Sequence, residues 1–503
     1  MSAPLYIKVK DADNVAIAVH DIPRGTGVMP GVVTREDIPQ AHKIALTDIP
    51  KGGEVVRYGV VLGYAKAPIP VGAWINEHML DLPQSPGLDD MPYGTSLVPM
   101  EELPDPPRRT WMGYRNKTGP AGTRNLLGIV TTVQCAAGVV NVAVERIKRE
   151  LLPKYPNVDG VVAVNHPYGC GVAIKAREAH IPIRAVTNLI RHPNFGGELM
   201  VVGLGCEKLT YDMVLPPEDI TPENTLTLQD YRGHDAMMQA LMEMAERKLK
   251  RLNERRREEL PLSELLIGMQ CGGSDAFSGL TANPLCGRLC DRVIQAGGSC
   301  VLTEVPEMFG AEHLLMARCV NEGVFAQTVD LINDYKDYFT RYGQVIYENP
   351  SPGNKAGGIS TLEEKSLGCV QKGGSAPVTG VLGYGDPIIQ PGLNLLTGSG
   401  NDQVSCTNLV CSGATLICFT TGRGNPFGAP VPTVKVASNG DLFRRKPHWI
   451  DYNAGQVLEG SNWADMEEDF FRYLLSVASG EQHARNEENG YKEISIFHDG
   501  VIL

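Results

Sequence analysis

Hydrophobic positions along the chain follow two rhythms. In the first, short runs alternate apolar with polar residues and break at glycine or proline: "YIKVK", "VAIAV", "KIALTDIPKGG" and "EVVRYGVVLGYA". That pattern predicts a small all-β unit over residues 1–82. The stretch "DLPQSPGLDDMPYGTSLVPMEELPDPP" follows, and its seven prolines predict an extended linker over 83–109. The second rhythm is apolar run, glycine loop, helical pattern. "NLLGIVTTV", "GVVAV" and "ELMVVGLG" carry it first, and Met237, Met238, Leu241, Met242, Ala245, Leu249 and Leu252 then fall at helical spacing. That helix ends in a dense basic stretch, taken as the edge of an α/β domain over 110–259. "SELLIGMQ", "CVLTEVPE", "GLNLLTGSGND" and "TLICFTTGRGNPFG" repeat the syntax and predict a C-terminal α/β domain over 260–503. The fold class expected is α/β: a small N-terminal all-β domain, then a larger multi-layer α/β region.

Polar and sulfur residues collect where the apolar runs stop, the end at which open α/β sheets bind ligands. Cys135, Cys170, Cys206 and Cys271 each follow such a run, with His166 and Glu207 close to two of them. They predict either small buried side chains at tight exits or a convergent metal site. Cys286, Cys290, Cys319 and Cys411 lie in element interiors and are assigned to the core. "CGGSDAFSGLTANP", "SPGNKAGG" and "TTGRGNPFG" supply glycine-rich loops whose amides approach an anion, with Lys355 and Arg423 adding charge. Asp275, Glu207, Glu304, Glu307 and Asp402 stand at strand exits, where they serve as general bases, hard-metal ligands or caps. His20 and His42 flank strands of the β unit, a usual place for structural hydrogen bonding.

The 503 residues are 43% apolar and 21% charged, the composition of an ordinary globular protein. A net charge of −12 excludes a nucleic-acid binder and requires a local positive pocket for any anionic ligand. The sequence has no secretory start, no membrane-spanning run and no CxxC pair. Its twelve cysteines therefore predict reduced thiols in the cytoplasm. No Walker or dinucleotide fingerprint is present.

Longer segments add a resemblance. "NHPYGCG", "HPNFGGELMVVGLGCEK", "GMQCGGSDAFSGLTANP", "LTEVPEMFGAEHLL", "ENPSPGNKAGGISTLEEKSLG", "TTGRGNPFGAPVPTVKVA" and "HWIDYNAGQ" resemble the altronate/galactarate dehydratase family nearly end to end. The resemblance implies a β-clip domain of the SAF type at the N-terminus. It also implies dehydration of a sugar acid to a 2-keto-3-deoxy acid, with Fe(II) or another divalent metal (Mn, Mg or Ca) as cofactor. An iron–sulfur cluster on the four cysteines is the second choice of cofactor. The substrate expected is altronate, with galactarate next; a non-catalytic sugar-acid binder is the rival class. Under this reading His166, Tyr168, Asp275, Glu304 and His42 are the catalytic candidates. Gly272, Gly273, Ser274, Asn354, Lys355 and Arg423 would bind substrate. Cys135, Cys170, Cys206, Cys271, His166 and Glu207 would hold the metal. "GAWINEHM" departs from the histidine-rich stretch often found there, since Trp74 and Asn76 leave only His78. The partners expected are a small sugar acid and further copies of the chain, with neither nucleic acid nor membrane.

Overall fold

The computed structural model describes residues 4–83 and 109–500. The predicted linker lies, but for its end residues, outside them. The N-terminal unit consists of short antiparallel strands in sheets of four, three and two, as the alternating pattern requires. Inward-facing residues such as Val15, Ile44, Val55 and Ile75 close its small cores.

Beyond the linker the strands become parallel. A four-stranded sheet runs in the order Gly160–Val164, Leu126–Thr131, Val201–Gly203, Thr225–Thr227. A seven-stranded sheet runs Val378–Leu382, Gly392–Leu396, Ser299–Leu302, Leu266–Cys271, Leu416–Thr421, Thr433–Ala437, Tyr452–Asn453. Helices cover both faces, so strands such as Leu266–Cys271 are buried along their whole length and are apolar but for Gln270. Leu266–Cys271 comes first in the chain but lies inside its sheet, with later strands added on either side. Its carboxyl end is therefore a topological switch point, the crevice position of doubly wound sheets.

The helix expected from the methionine-rich pattern spans Gly233–Leu252 and buries Met238, Leu241, Met244, Ala245, Leu249 and Leu252. Lys248 is buried too, with its ammonium on Asn224 Oδ1 at 2.7 Å. A two-stranded antiparallel pair, Thr110–Gly113 with Glu258–Pro261, ties the smaller parallel sheet to the larger. No described helix is long and apolar enough to cross a membrane.

A buried charge triad docks the β unit on the larger sheet. Lys43 Nζ lies 2.7 Å from Glu364 Oε2, and Arg57 donates to Glu364 Oε1 from the other side. All three side chains are at most 2% exposed. Lys43 also donates to Gly358 O and Ser360 Oγ, and Arg57 to Ala276 O, so both cations of the β unit spend these hydrogen bonds on the larger unit. Burial would raise the Glu364 carboxyl, but the Lys43 and Arg57 charges overcome it and hold the group below its ordinary value. Glu364→Ala would leave two cations buried without a counter-charge. The expected loss is about 3–5 kcal/mol of stability. A denaturation midpoint equal to that of the parent would refute this role.

Candidate active site

The larger sheet gathers one set of expected residues. Past Leu266–Cys271 the chain turns through Gly272, Gly273, Ser274 and Asp275, and Gly273 O accepts from the amides of Gly422 and Arg423 at 3.0 and 2.9 Å. Asn354 Nδ2 donates to Ser274 O at 2.9 Å, while Arg423 Nη1 donates to Gly353 O at 2.9 Å. Three glycine loops far apart in sequence are thereby joined. Asp275 organises the junction: it accepts from Ser278, Ser438 and Asn439 and is fully buried, so it holds loops in place and offers no free oxygen. Its pKa is raised by burial, against these hydrogen bonds.

Beneath the loops lies a compact ionic cluster. Lys372 Nζ is 2.9 Å from Cys271 Sγ and 3.2 Å from Glu307 Oε2. Lys365 Nζ is 2.7 Å from Glu307 Oε1 and 2.9 Å from Ser274 Oγ, and Cys369 Sγ lies 3.6 Å from Cys271 Sγ. The hydrogen bond from Cys369 lowers the Cys271 thiol to about 6, aided by the two lysines against burial and the Glu307 charge. A thiol at Cys271 could donate to Glu307 at 3.0 Å, but a thiolate cannot. Lys372 reaches both atoms, so a thiolate with Lys372 bridging two anions satisfies more groups. Burial would raise Glu307, yet Lys365 and Lys372 hold it well below the carboxylate range.

Glu304 sits beside this cluster in a left-handed conformation, φ 65°, which an ordinary side chain adopts only under strain. It is buried with Oε2 unpaired among the described residues. Burial, then the charges of Glu307, Asp402 and Cys271, raise it far above the usual range, so it is protonated. Asp402 begins the helix Asp402–Cys411 and accepts from Asn425 at 2.6 Å. Burial and the charges of Cys271 and Glu307 bring it up to about 7.

The ligand atoms of Cys271, Glu307 and Cys369 all lie within 4.8 Å of one another, so on distance alone this group could hold a metal ion. Its electrostatics do not fit a dication as it stands. Two ammonium groups already occupy the oxygens and the thiolate, and they balance the two negative charges.

A cleft of about 1160 Å³ opens between the β unit and the larger sheet. Lys66, Glu77 and His78 line one wall, and Lys336, Lys355 and Glu363 the other. Glu363 has a buried Oε2 without a partner among the described residues, and burial lifts its pKa to about 7. Among the described residues nothing pairs with the Lys355 ammonium. His42 reaches the same loop from the β unit. Its Nδ1 accepts from Trp74 Nε1 at 3.0 Å and its ring bonds the Ala356 backbone, so it pins the segment bearing Lys355. Burial, then the charge of Lys43, lowers its pKa and keeps it neutral.

The other expected residues gather on the smaller sheet. His166 is buried there, with Nε2–H on Thr131 O at 2.6 Å and Nδ1 accepting from Tyr168 N at 3.3 Å. His192 repeats the arrangement with Ala414 O at 3.1 Å and Asn194 N at 3.2 Å. Burial pulls both rings down to about 4. A His-Pro turn used twice in the same way is a closing device for the chain, and it commits both nitrogens of His166. Tyr168 is buried, its ring centroid 6.4 Å from that of His498. Glu207 accepts from Leu204 N, Gly205 N and Thr132 Oγ1. Cys135, Cys170 and Cys206 are exposed at this sheet's carboxyl end, whereas Cys271 is buried in the other sheet among Glu307, Cys369 and the lysines. The four cysteines therefore divide three and one.

Lys365, Cys369, Lys372 and Glu363 are absent from the sequence-derived site. A signal exists for three of them: in "STLEEKSLGCVQKGG" they recur at i, i+4 and i+7, one face of a helical segment. Glu363 carries no such mark.

A parallel α/β sheet with charged groups at its switch point, and a neighbouring cleft holding a carboxyl that titrates near neutrality, is the layout of an acid–base enzyme. Comparison with known families is specific. Residues 4–83 match the altronate/galactarate dehydratase SAF domain. Residues 113–253 match the D-galactarate dehydratase/altronate hydrolase second domain, and 262–502 the D-galactarate/altronate dehydratase C-terminal domain. The chain is 44% identical to altronate dehydratase of Bacillus subtilis (strain 168), over 99% of both chains. It is 42% identical to altronate dehydratase of Escherichia coli (strain K12), over 99% of this chain and 100% of that one. With galactarate dehydratase (L-threo-forming) of Escherichia coli (strain K12) it shares 45% identity, over 99% and 97%. The chain belongs to the galactarate/altronate dehydratase family.

Glu307→Gln tests the charge balance of the buried cluster, since it leaves Lys365 and Lys372 facing one thiolate. At pH 7 the variant should lose several kcal/mol, about 3–5 by analogy with other broken buried pairs. Glu307 is depressed in the folded state, so its contribution is full above the unfolded value of about 4.3 and fades as pH falls towards the folded one. The gap between parent and variant in denaturation experiments should therefore narrow in acid. A constant gap would reject the pairing.

Proposed function

We propose that this chain is a hydro-lyase acting on D-altronate, giving 2-keto-3-deoxy-D-gluconate and water, with galactarate as the second candidate substrate. Family membership supports the reaction class. Identities of 42–44% with the two altronate enzymes and 45% with the galactarate enzyme leave the sugar acid to experiment. The observation that carries the reading is Glu363, a carboxyl held near neutrality in a cleft that a six-carbon acid can enter.

In this reading the substrate carboxylate lies against the Lys355 ammonium. Glu363 removes the proton from C2, and Lys355 opposes the negative charge that develops on the carboxylate oxygens. The C3 hydroxyl gains a proton and leaves as water, and the enol then becomes the ketone at C2. The positions of Gly272, Gly273, Ser274, Asn354, Asp275 and His42 support a positioning role, because they fix the loop on which Lys355 stands. No step is routed through a metal on Cys271, Glu307 and Cys369, whose charges the lysines already balance. Asp402, also near 7, is the second reading for the base because it lies at the switch point.

The test is 2-keto acid formation from D-altronate and from galactarate, assayed anaerobically with Fe(II) supplied. Glu363→Gln should lower kcat by roughly 10²–10⁴-fold, while Asp402→Asn should stay within about tenfold of the parent. The reverse ranking would move the base to Asp402. No product from either acid, with folded protein, would reject the reading. The base works deprotonated, so kcat/KM should rise with pH through about 7 and level off above it.

A further inference from the structure

The segment "GAWINEHM" has no part in the reaction described above, yet it builds one wall of the cleft. Its strand, Trp74–Ile75, pairs antiparallel with Lys43–Ala45, and Ile75 stands opposite Lys43. Lys43 is the cation docked on Glu364, so this strand is held in place against the larger sheet. Asn76 then caps the single turn Glu77–Met79, its side chain accepting from His78 N at 3.1 Å. Glu77 stands first in that turn and lines the cleft with its side chain 25% exposed. Its one ion-pair contact among the described residues is His78 Nε2 at 3.6 Å, on a ring that is itself almost fully exposed. No hydrogen bond among the described residues occupies the Glu77 carboxylate. A half-buried carboxylate with free lone pairs accepts from hydroxyl donors.

The charges around the cleft are unevenly matched. Lys336 lines it but is spent on Glu312 Oε1 at 3.2 Å. Lys66 and Lys355 remain, and Lys66 Nζ lies 3.3 Å from His78 O. Against these two stand Glu77, Asp81 and Asp337, before Glu363 is counted. The wall of the β unit sets Lys66 alone against Glu77 and Asp81. One carboxylate of a ligand is met by Lys355. A second would enter a region where acids outnumber the free cations, at a Coulombic cost.

We propose, on the reading that places the reaction in this cleft, that Glu77 makes it selective for aldonic acids, which carry one carboxylate, over aldaric acids, which carry two. With the first carboxylate on Lys355, the far end of a six-carbon acid extends towards the wall of the β unit. An aldonate presents a hydroxyl there, and that hydroxyl donates to Glu77. An aldarate presents a second carboxylate, which has no proton to give and is repelled by the first acid it meets. Lys66 softens that repulsion without cancelling it. The preference therefore combines a bond that only one ligand forms with a repulsion that only the other meets.

The experiment compares D-altronate with galactarate on the full-length chain, assayed anaerobically with Fe(II) supplied. The parent should favour altronate in kcat/KM. Glu77→Gln should cut that preference roughly tenfold or more, chiefly through a lower KM for galactarate. Glu77→Asp keeps the charge and should keep the preference, which a merely structural role for Glu77 would not require. Added salt should narrow the preference of the parent and leave that of Glu77→Gln nearly unchanged. A ratio unmoved in Glu77→Gln, or a parent that favours galactarate, would overturn the proposal. If neither acid is turned over, the hydro-lyase reading fails on its own account, and calorimetric binding of the two acids to folded protein decides selectivity. Tighter binding of altronate by the parent, lost in Glu77→Gln, upholds it; equal or absent binding of both acids by the parent rejects it.

Discussion

The Lys43–Glu364–Arg57 triad is the constraint on which the architecture turns. Buried charges are tolerable only when their partners are in place, so the β unit can sit on the larger sheet in one orientation alone. The helix Leu362–Cys369 then acts as a hub, because consecutive residues project about 100° apart around a helix. Glu364 meets the β unit, Lys365 meets the buried Glu307 carboxylate and Glu363 lines the cleft. Docking, interior charge balance and the proposed base are set by adjacent residues of one short element. A shift of this helix would disturb all three together.

Electroneutrality governs the interior in the same way. Cys271 and Glu307 are held anionic by Lys365 and Lys372, while burial, and after it the nearness of those two anions, raises the carboxyls of Glu304 and Asp402. The cluster therefore sorts its acids into permanently charged and permanently or partly protonated members. Protonation states follow from neighbours rather than from residue type. The strained backbone at Glu304 fits a position whose location at the strand end outweighs its conformational cost.

Much of this was legible in the sequence. Alternation marked the β unit, and apolar runs ending in glycine marked the parallel strands, because those patterns reflect which faces are buried. The gathering of Gly272, Gly273, Ser274, Asn354 and Arg423 was also foreseeable, since strand ends in a doubly wound sheet share one edge. What sequence could not tell was which strand ends belong to which sheet. Cys271 and Cys206 both close apolar runs, yet they close different sheets. His166 looked like chemistry because a histidine on a glycine-rich exit has that appearance. Only the repeat of its hydrogen bonds at His192 identifies it as a turn-closing residue. Glu363 was hidden for the opposite reason: one glutamate in a run of charged helix residues carries no sign that a neighbouring unit walls it in.

The join between the β unit and the larger sheet also constrains how such a chain can be divided. Separated, one piece would present a lysine and an arginine shaped for concealment, and the other a carboxylate made for the same recess. Neither half would be at ease in water as an independent object.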